Sequence, residues 1–298
     1  MSKESKEEGQ TITLPDGRKL GYLSVGEGRP VFWFPGFPNS RLSALALSQI
    51  AAAKHLWIIG VDRPGFGLST YAPKRAIRDF AADVSCLADH LDVAGFALVG
   101  YSTGGHYAVS CTALLPKRIK RTVVISGFTL PPDTSGMFPT VKGLYRFGTM
   151  PIVAARIQKR IRSMWLEADK DPDWFSQSKA GSNLLKSLPE ADQKFMISAA
   201  HRPEGFRADV EAYRQGPDSI RAAIQQLKLQ KRGWDVDLSQ IPSGLVHLWH
   251  GTADVWAPVS NAYKNAKIIP GAHLKIFENE GHALLWDHLE EIGELLSV

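Results

Sequence analysis

The chain has 298 residues, 44% of them hydrophobic and 22% charged, which is enough to close one large core, alone or with an insertion. The formal net charge of +5 is a mild excess scattered among acids, and no nucleic-acid motif accompanies it, so no nucleic-acid partner is expected. Two cysteines, the charged opening "MSKESKEEGQ" and the lack of an apolar run of membrane length argue against a disulfide framework, a secretory leader and stable membrane insertion; a cytoplasmic protein is expected.

Residues 1–10 read as a disordered polar tail. "QTITLPDGRKLGYLSVG" follows as two strands joined at Asp16-Gly17, a hairpin turn pair. "PVFWFPG" (30–36) is a strand of the fully buried type, and Pro38 starts a loop into a helix near 40–52. "LWIIGVDRPGFG" supplies another strand, stopped by Pro64, Gly65 and Gly67. In "RAIRDFAADVSCLADHLD", Ile77, Phe80, Val84, Leu87 and Leu91 fall on one helical stripe. The strand "FALVGY", a helix after Ser102 and the strand "RTVVISG" (121–127) continue the alternation. Strands alternating with helices imply right-handed crossovers and a parallel sheet covered on both faces. Cys86 and Cys111 fall within these helices and read as buried small hydrophobes.

The alternation stops after Gly127. Residues 128–241 are helical in pattern and rich in aromatics, and they read as an inserted helical cap. Two basic stretches, "RIQKRIR" (156–162) and "KLQKR" (228–232), read as solvated helix faces in preference to an anion- or membrane-binding patch. The alternation then resumes with "GLVHLWHG", a helix around 258–266, the strand "HLKIFEN" and a final helix "ALLWDHLEEIGELL". The expected architecture is an α/β fold with a mostly parallel eight-stranded sheet, its core formed by 11–127 and 242–298 and interrupted by the cap.

In an open α/β sheet, working side chains gather at the carboxyl ends of strands. Three candidates stand there: Ser102 after "FALVG", Asp254 in "HGTAD" after "LVHLWHG", and His282 in "ENEGHALL" after "HLKIFEN". Each has a plain structural reading. Ser102 would suit a helix N-cap, Asp254 could cap the helix near Pro258, and His282 could be a satisfied structural histidine, as expected of His106 and His250. Together they carry acyl-transfer chemistry: a serine hydroxyl is a poor nucleophile until an imidazole takes its proton, and a carboxylate orients that imidazole. Gly100 and Gly104 strengthen this reading, because a serine on a tight strand-to-helix turn tolerates no side chain two residues before or after it. Asp133 is a rival acid on a Pro-Pro turn; Glu278 and Glu280 are close to His282 in sequence but badly directed.

Taken in order, "FPGFPNSR", "VDRPGFGLS", "GYSTGG", "HGTAD" and "EGH" resemble the α/β-hydrolase superfamily, in its capped, serine-nucleophile, esterase-like branch. The resemblance implies Ser102 as nucleophile, His282 as base and Asp254 as orienting acid, with no metal or organic cofactor. It also implies an oxyanion hole from the backbone N–H groups of Phe37 and Thr103. The loop that carries Phe37 usually reads His-Gly-X-Pro in that family and here reads Pro35-Gly36-Phe37-Pro38. Both donors survive, and Pro38 favours an extended Phe37. Asp62 and Arg63 are expected to brace this region. Trp256 reads either as a wall of the pocket or as an ordinary loop aromatic. The aromatic-rich cap could form a small core of its own, and since it must cover the cleft, some of Met137, Phe138, Trp165 and Phe175 are expected to face a small-molecule substrate. The expected activity is cleavage of a small to medium apolar ester, lactone or related acyl compound through an acyl-enzyme. A lyase, cyclase or carbon–carbon-cleaving relative acting on a secondary metabolite, and a ligand-binding receptor or pseudoenzyme, stand as alternatives.

Overall fold

The computed structural model describes residues 8–200 and 206–297. Of the expected tail, residues 1–7 lie outside the described residues, and Gln10 already opens the first strand. The strands are β1 (Gln10–Thr13), β2 (Lys19–Val25), β3 (Arg29–Phe34), β4 (Leu56–Val61), β5 (Phe96–Tyr101), β6 (Ile119–Ile125), β7 (Val246–Gly251) and β8 (His273–Phe277). They form one sheet in the order β1-β2-β4-β3-β5-β6-β7-β8. The hairpin at Asp16-Gly17 makes β1 and β2 antiparallel, β2 is also antiparallel to β4, and every pairing from β4 onward across the sheet is parallel.

Side chains alternate across a strand, and β3 shows the consequence. Phe32 and Phe34 enter one core, with Leu98 of β5 and with Val84 and Leu87 of helix α2 (Phe80–His90). Val31 and Trp33 enter the other, with Val99 and with Ile292 of the C-terminal helix. These side chains are almost wholly buried, and each contributes about 1.5–3 kcal/mol of transfer free energy. A sheet covered on both faces in this way needs continuous apolar strands, as "VFWF" and "FALV" are.

The helices on the sheet are α1 (Ser48–Ala53), α2, α3 (Gly104–Leu114), α11 (Ser260–Ile268) and α12 (Leu289–Leu296). Three differ from the periodicity. The helix expected near 40–52 begins as a 3-10 turn, Arg41–Leu47, whose first residue gives its N–H to Asp62 Oδ1 at 2.7 Å. The helix in 75–92 begins only at Phe80, because Asp79 Oδ2 accepts the Ala76 N–H and closes a competing local turn. The last helix is split into a 3-10 turn, Leu284–Trp286, and α12. Cys111 is buried in α3 and Cys86 only partly buried in α2; both thiols are free.

Between β6 and β7 the described residues form seven α-helices: α4 (Pro139–Phe147), α5 (Pro151–Lys170), α6 (Trp174–Gln177), α7 (Lys179–Leu185), α8 (Glu190–Ala200), α9 (Arg207–Glu211) and α10 (Pro217–Lys231). They have a core of their own, in which Trp174, Phe175, Leu185 and Phe206 pack with Ala168. Their far end is tied to the sheet domain. Glu211 pairs with Arg41 at 2.9 Å, Gln215 donates to the carbonyls of Gly67 and Ser69, and Gln225 donates to those of Ala72 and Arg75. No helix among the described residues is long and apolar enough to cross a membrane.

Candidate active site

The chain passes from β3 to β4 on one side of β3 and reaches β5 on the other, so the loops after β3 and β5 diverge. A crevice at the carboxyl ends of the strands results. Ser102 sits in it, between β5 and α3, with φ of 54°. That left-handed backbone costs a serine energy and turns its side chain outward from the sheet. The flanking glycines follow from the turn's tightness. A Cβ on Gly104 would lie 1.9 Å from the Phe34 carbonyl oxygen, and one on Gly100 2.7 Å from that of Gly104. Gly105 N–H donates to the Ser102 carbonyl and Ser102 N–H to that of Ile125, which pins the turn to β6.

His282 follows β8 and Asp254 follows β7. The imidazole Nδ1 of His282 donates to Asp254 Oδ2 at 2.8 Å. The other carboxylate oxygen of Asp254 accepts the N–H groups of Trp256 and Ala257 at 2.9 and 2.8 Å, so Asp254 also shapes its own loop. His250 Nε2 lies 3.3 Å from Asp254 Oδ2 and donates to the Ala257 carbonyl at 2.6 Å. Burial opposes the charge on Asp254, yet His282 and His250 more than offset it and hold its carboxyl well below the usual carboxylate range. Burial likewise opposes a charged His282, and the field and hydrogen bond of Asp254, helped by Asp192, prevail and raise its pKa. The His282 carbonyl accepts from Tyr101 and Ser126 hydroxyls, which fixes the loop from the sheet side.

Ser102 and His282 line the same cavity, of about 1030 Å³, between the sheet and the helical insertion. The Ser102 hydroxyl has no hydrogen-bond partner among the described residues; such contacts commonly tighten only once substrate is bound. Phe37 and Thr103 line the same cavity, and neither amide N–H has an acceptor among the described residues. The Phe37-Pro38 peptide is cis. Arg63 joins the two loops that carry these amides. Its buried guanidinium donates to Thr103 Oγ1 at 2.6 Å and to the Gly36 carbonyl at 2.8 Å, and stacks over Phe66. Burial lowers its pKa to about 10, so it stays charged at neutral pH. Asp62 braces the neighbouring turn, accepting from Arg41 and from the Leu68 N–H.

Of the aromatics expected at the pocket, Trp256, Phe138 and Trp165 line the cavity. Phe175 does not. It packs inside the insertion between Trp165, Trp174 and Phe206, and Met137 is likewise absent from the lining, buried behind Phe128 and Tyr145, which do reach the cavity. A helical pattern names apolar residues without telling the inner face of an insertion from its own core. His106 is buried in α3 as expected, but neither ring nitrogen has a hydrogen-bond partner among the described residues, and burial holds it neutral with a pKa near 3. Asp133, the rival acid, is paired with Lys264 at 2.6 Å. Glu280 bonds His288, and Glu278 accepts from Thr252.

Two carboxyls on the cavity wall had no sequence signal. Asp192 of α8 is buried and accepts the backbone N–H groups of His282 and Ala283 at 3.1 and 2.8 Å. Asp209 of α9 accepts from the Asn39 side chain at 3.1 Å, and burial raises its pKa to about 8. Both arrive from the insertion, far from the strand ends that guide a sequence search. No cluster of three or more metal-ligating side chains occurs among the described residues.

A family model described as "Alpha/beta hydrolase family" matches residues 30–295. Among curated proteins, the chain is 26% identical over 281 residues to the dihydrolipoyllysine-residue acetyltransferase component of an acetoin cleaving system from Pseudomonas putida, covering 93% of this chain but only 65% of that protein's length. It is 27% identical over 246 residues to a 2-hydroxy-6-oxononadienedioate/2-hydroxy-6-oxononatrienedioate hydrolase from Escherichia coli, covering 80% of this chain and 74% of the relative. Among solved structures, an esterase from Exiguobacterium antarcticum superposes with a TM-score of 0.62 at 20% identity, covering 97% of each chain. That likeness speaks to the fold.

Proposed function

Since this chain belongs to the alpha/beta hydrolase family, we propose that it is a serine hydrolase that cleaves a neutral, largely apolar ester, lactone or related acyl compound. One observation carries the reading. Ser102, held in left-handed backbone on a tight turn, opens into the same cavity as a His282 whose ring is bonded to the buried Asp254. In the proposed reaction, Ser102 Oγ attacks the substrate carbonyl carbon while His282 takes its proton. The N–H groups of Phe37 and Thr103 receive the oxyanion. As the tetrahedral species collapses, the bond to the leaving oxygen breaks and His282 returns the proton to it. Water then attacks the acyl-enzyme with His282 again as base, releasing the acid and restoring Ser102. The helical insertion acts as a cap that shapes the acyl pocket.

The walls favour a neutral substrate. Phe138, Trp165 and Trp256 offer apolar surface, Asp192 sets a carboxyl against the His282 loop, and Asp209, which burial keeps protonated at neutral pH, brings no positive charge to receive an anion. The lining arginines, Arg160 and Arg207, are solvent-exposed. A doubly charged substrate such as the dienedioate in the Escherichia coli relative's name therefore fits less well. The test is intact mass after treatment with a reactive fluorophosphonate, on wild type and on Ser102→Ala. A single adduct on wild type alone supports an activated Ser102, and a panel of graded esters and lactones in labelled water then places the label in the acid product. Undiminished turnover by folded Ser102→Ala would sink the assignment.

A further inference from the structure

Residues 134–166 contain six lysines and arginines and no aspartate or glutamate, while the whole chain carries only +5. The charge is thus not scattered among acids, as expected from the whole-chain balance, but concentrated in one segment, and the remainder is close to neutral. This segment forms the α4–α5 hairpin, the part of the insertion farthest in sequence from the hydrogen bonds that tie α9 and α10 to the sheet domain. At its tip four large apolar side chains are exposed: Phe147 at 45%, Met150 at 51%, Ile152 at 71% and Val153 at 37%. They fall within seven residues, from the last residue of α4 through the connection to the first turn of α5, a clustering that a packed interior or a solvated loop would not call for. Further along α5, Arg156, Lys159, Arg160 and Arg162 are exposed, and among the described residues none has an ion-pair partner. Arg156 lies four residues after Ile152 and Arg160 four after Arg156, so they follow the apolar tip along one helix face.

We propose that the α4–α5 tip is a docking surface for an anionic lipid bilayer. An apolar end followed within one or two helical turns by cations matches the depth order of an interface, with acyl chains below and phosphates above. The competing occupants fit less well. A second copy of this chain would bring six more cations against these six, and a nucleic acid has no use for four exposed aliphatic and aromatic side chains at the tip. Phe147 and Val153 belong to both the tip and the cavity lining, so a docked chain would present its cavity to the acyl region of the bilayer. The adsorption is peripheral, since α5 is neither apolar nor uncharged enough to span. It does not depend on Ser102 being a nucleophile.

The test is co-sedimentation of the full chain with phosphatidylcholine vesicles, with and without phosphatidylglycerol, across a salt series. Binding to the anionic vesicles that weakens as salt rises is expected. Ile152→Asp should abolish it, and the double variant Arg156→Glu, Lys159→Glu should weaken it more than tenfold, from roughly fivefold per cation removed. Both sites are exposed, and unchanged thermal melting confirms that the variants fold. No binding to anionic vesicles at low salt overturns the proposal, as does equal binding by both variants. A salt-insensitive dimer that forms without lipid and is lost in Ile152→Asp would put a second copy on the tip and overturn it too.

Discussion

The strand ends and the helical insertion meet at one cavity but hold their side chains by different means. Ser102, Asp254 and His282 each stand within a few residues of a strand, and backbone geometry does most of the positioning: a left-handed turn, a carboxylate accepting two local N–H groups, a loop carbonyl held by two hydroxyls. The insertion supplies Asp192, Asp209, Phe138 and Trp165 from four separate segments, and each depends on how helices pack over the sheet. The strand-end half therefore has little room to adjust, while the insertion can vary its lining without disturbing the reactive groups. Under the proposed function, that division would separate chemistry from substrate choice.

The sharpest way to break the comparison lies on the sheet side. Ser102→Ala should lower turnover by about 10⁴-fold or more with the fold retained, read by ester hydrolysis and circular dichroism. Gly104→Ala should fail differently. Its Cβ would meet the Phe34 carbonyl at 1.9 Å, so stability should drop by about 3 kcal/mol or more in denaturant titration. Next comes the link between the two loops that carry the Phe37 and Thr103 amides. Arg63→Met should cost about 100-fold in kcat with little change in KM, and Arg63→Lys should not restore it, because the two acceptors need a forked donor.

A smaller effect tests the insertion. In the proposed reaction His282 must be neutral to accept the Ser102 proton, and its pKa is raised above the usual histidine value by Asp254, with Asp192 adding to it. Activity should therefore rise with pH through a midpoint above 6.5. Asp192→Asn removes one nearby negative charge, so the acid limb should move to lower pH, with kcat falling roughly tenfold as one of two backbone N–H groups loses its acceptor. A drop in kcat with an unmoved acid limb would mean that Asp192 only holds the loop. The smallest effect belongs to the rival acid. Asp133→Asn should leave turnover unchanged and cost about 1 kcal/mol or less of stability, the worth of its ion pair with Lys264.

What the sequence determined by itself is what is local in the chain. Apolar runs and turn residues specify the eight strands, because a strand's period and a hairpin's dihedrals are set by neighbours in sequence. "GYSTGG" specifies the turn around Ser102 because the glycines relieve clashes within that turn and against the strand beside it. The strand-end rule then leads to Asp254 and His282, which the structure joins by a hydrogen bond. Tertiary structure alone decided the rest. Phe175 and Phe138 have the same apolar character in helical surroundings, yet one packs inside the insertion and the other faces the cavity. Asp192 carries no motif and reaches His282 across 90 positions of chain. Which face of a helix turns inward, and which distant carboxyl meets a loop amide, follows from long-range packing that no window of sequence contains.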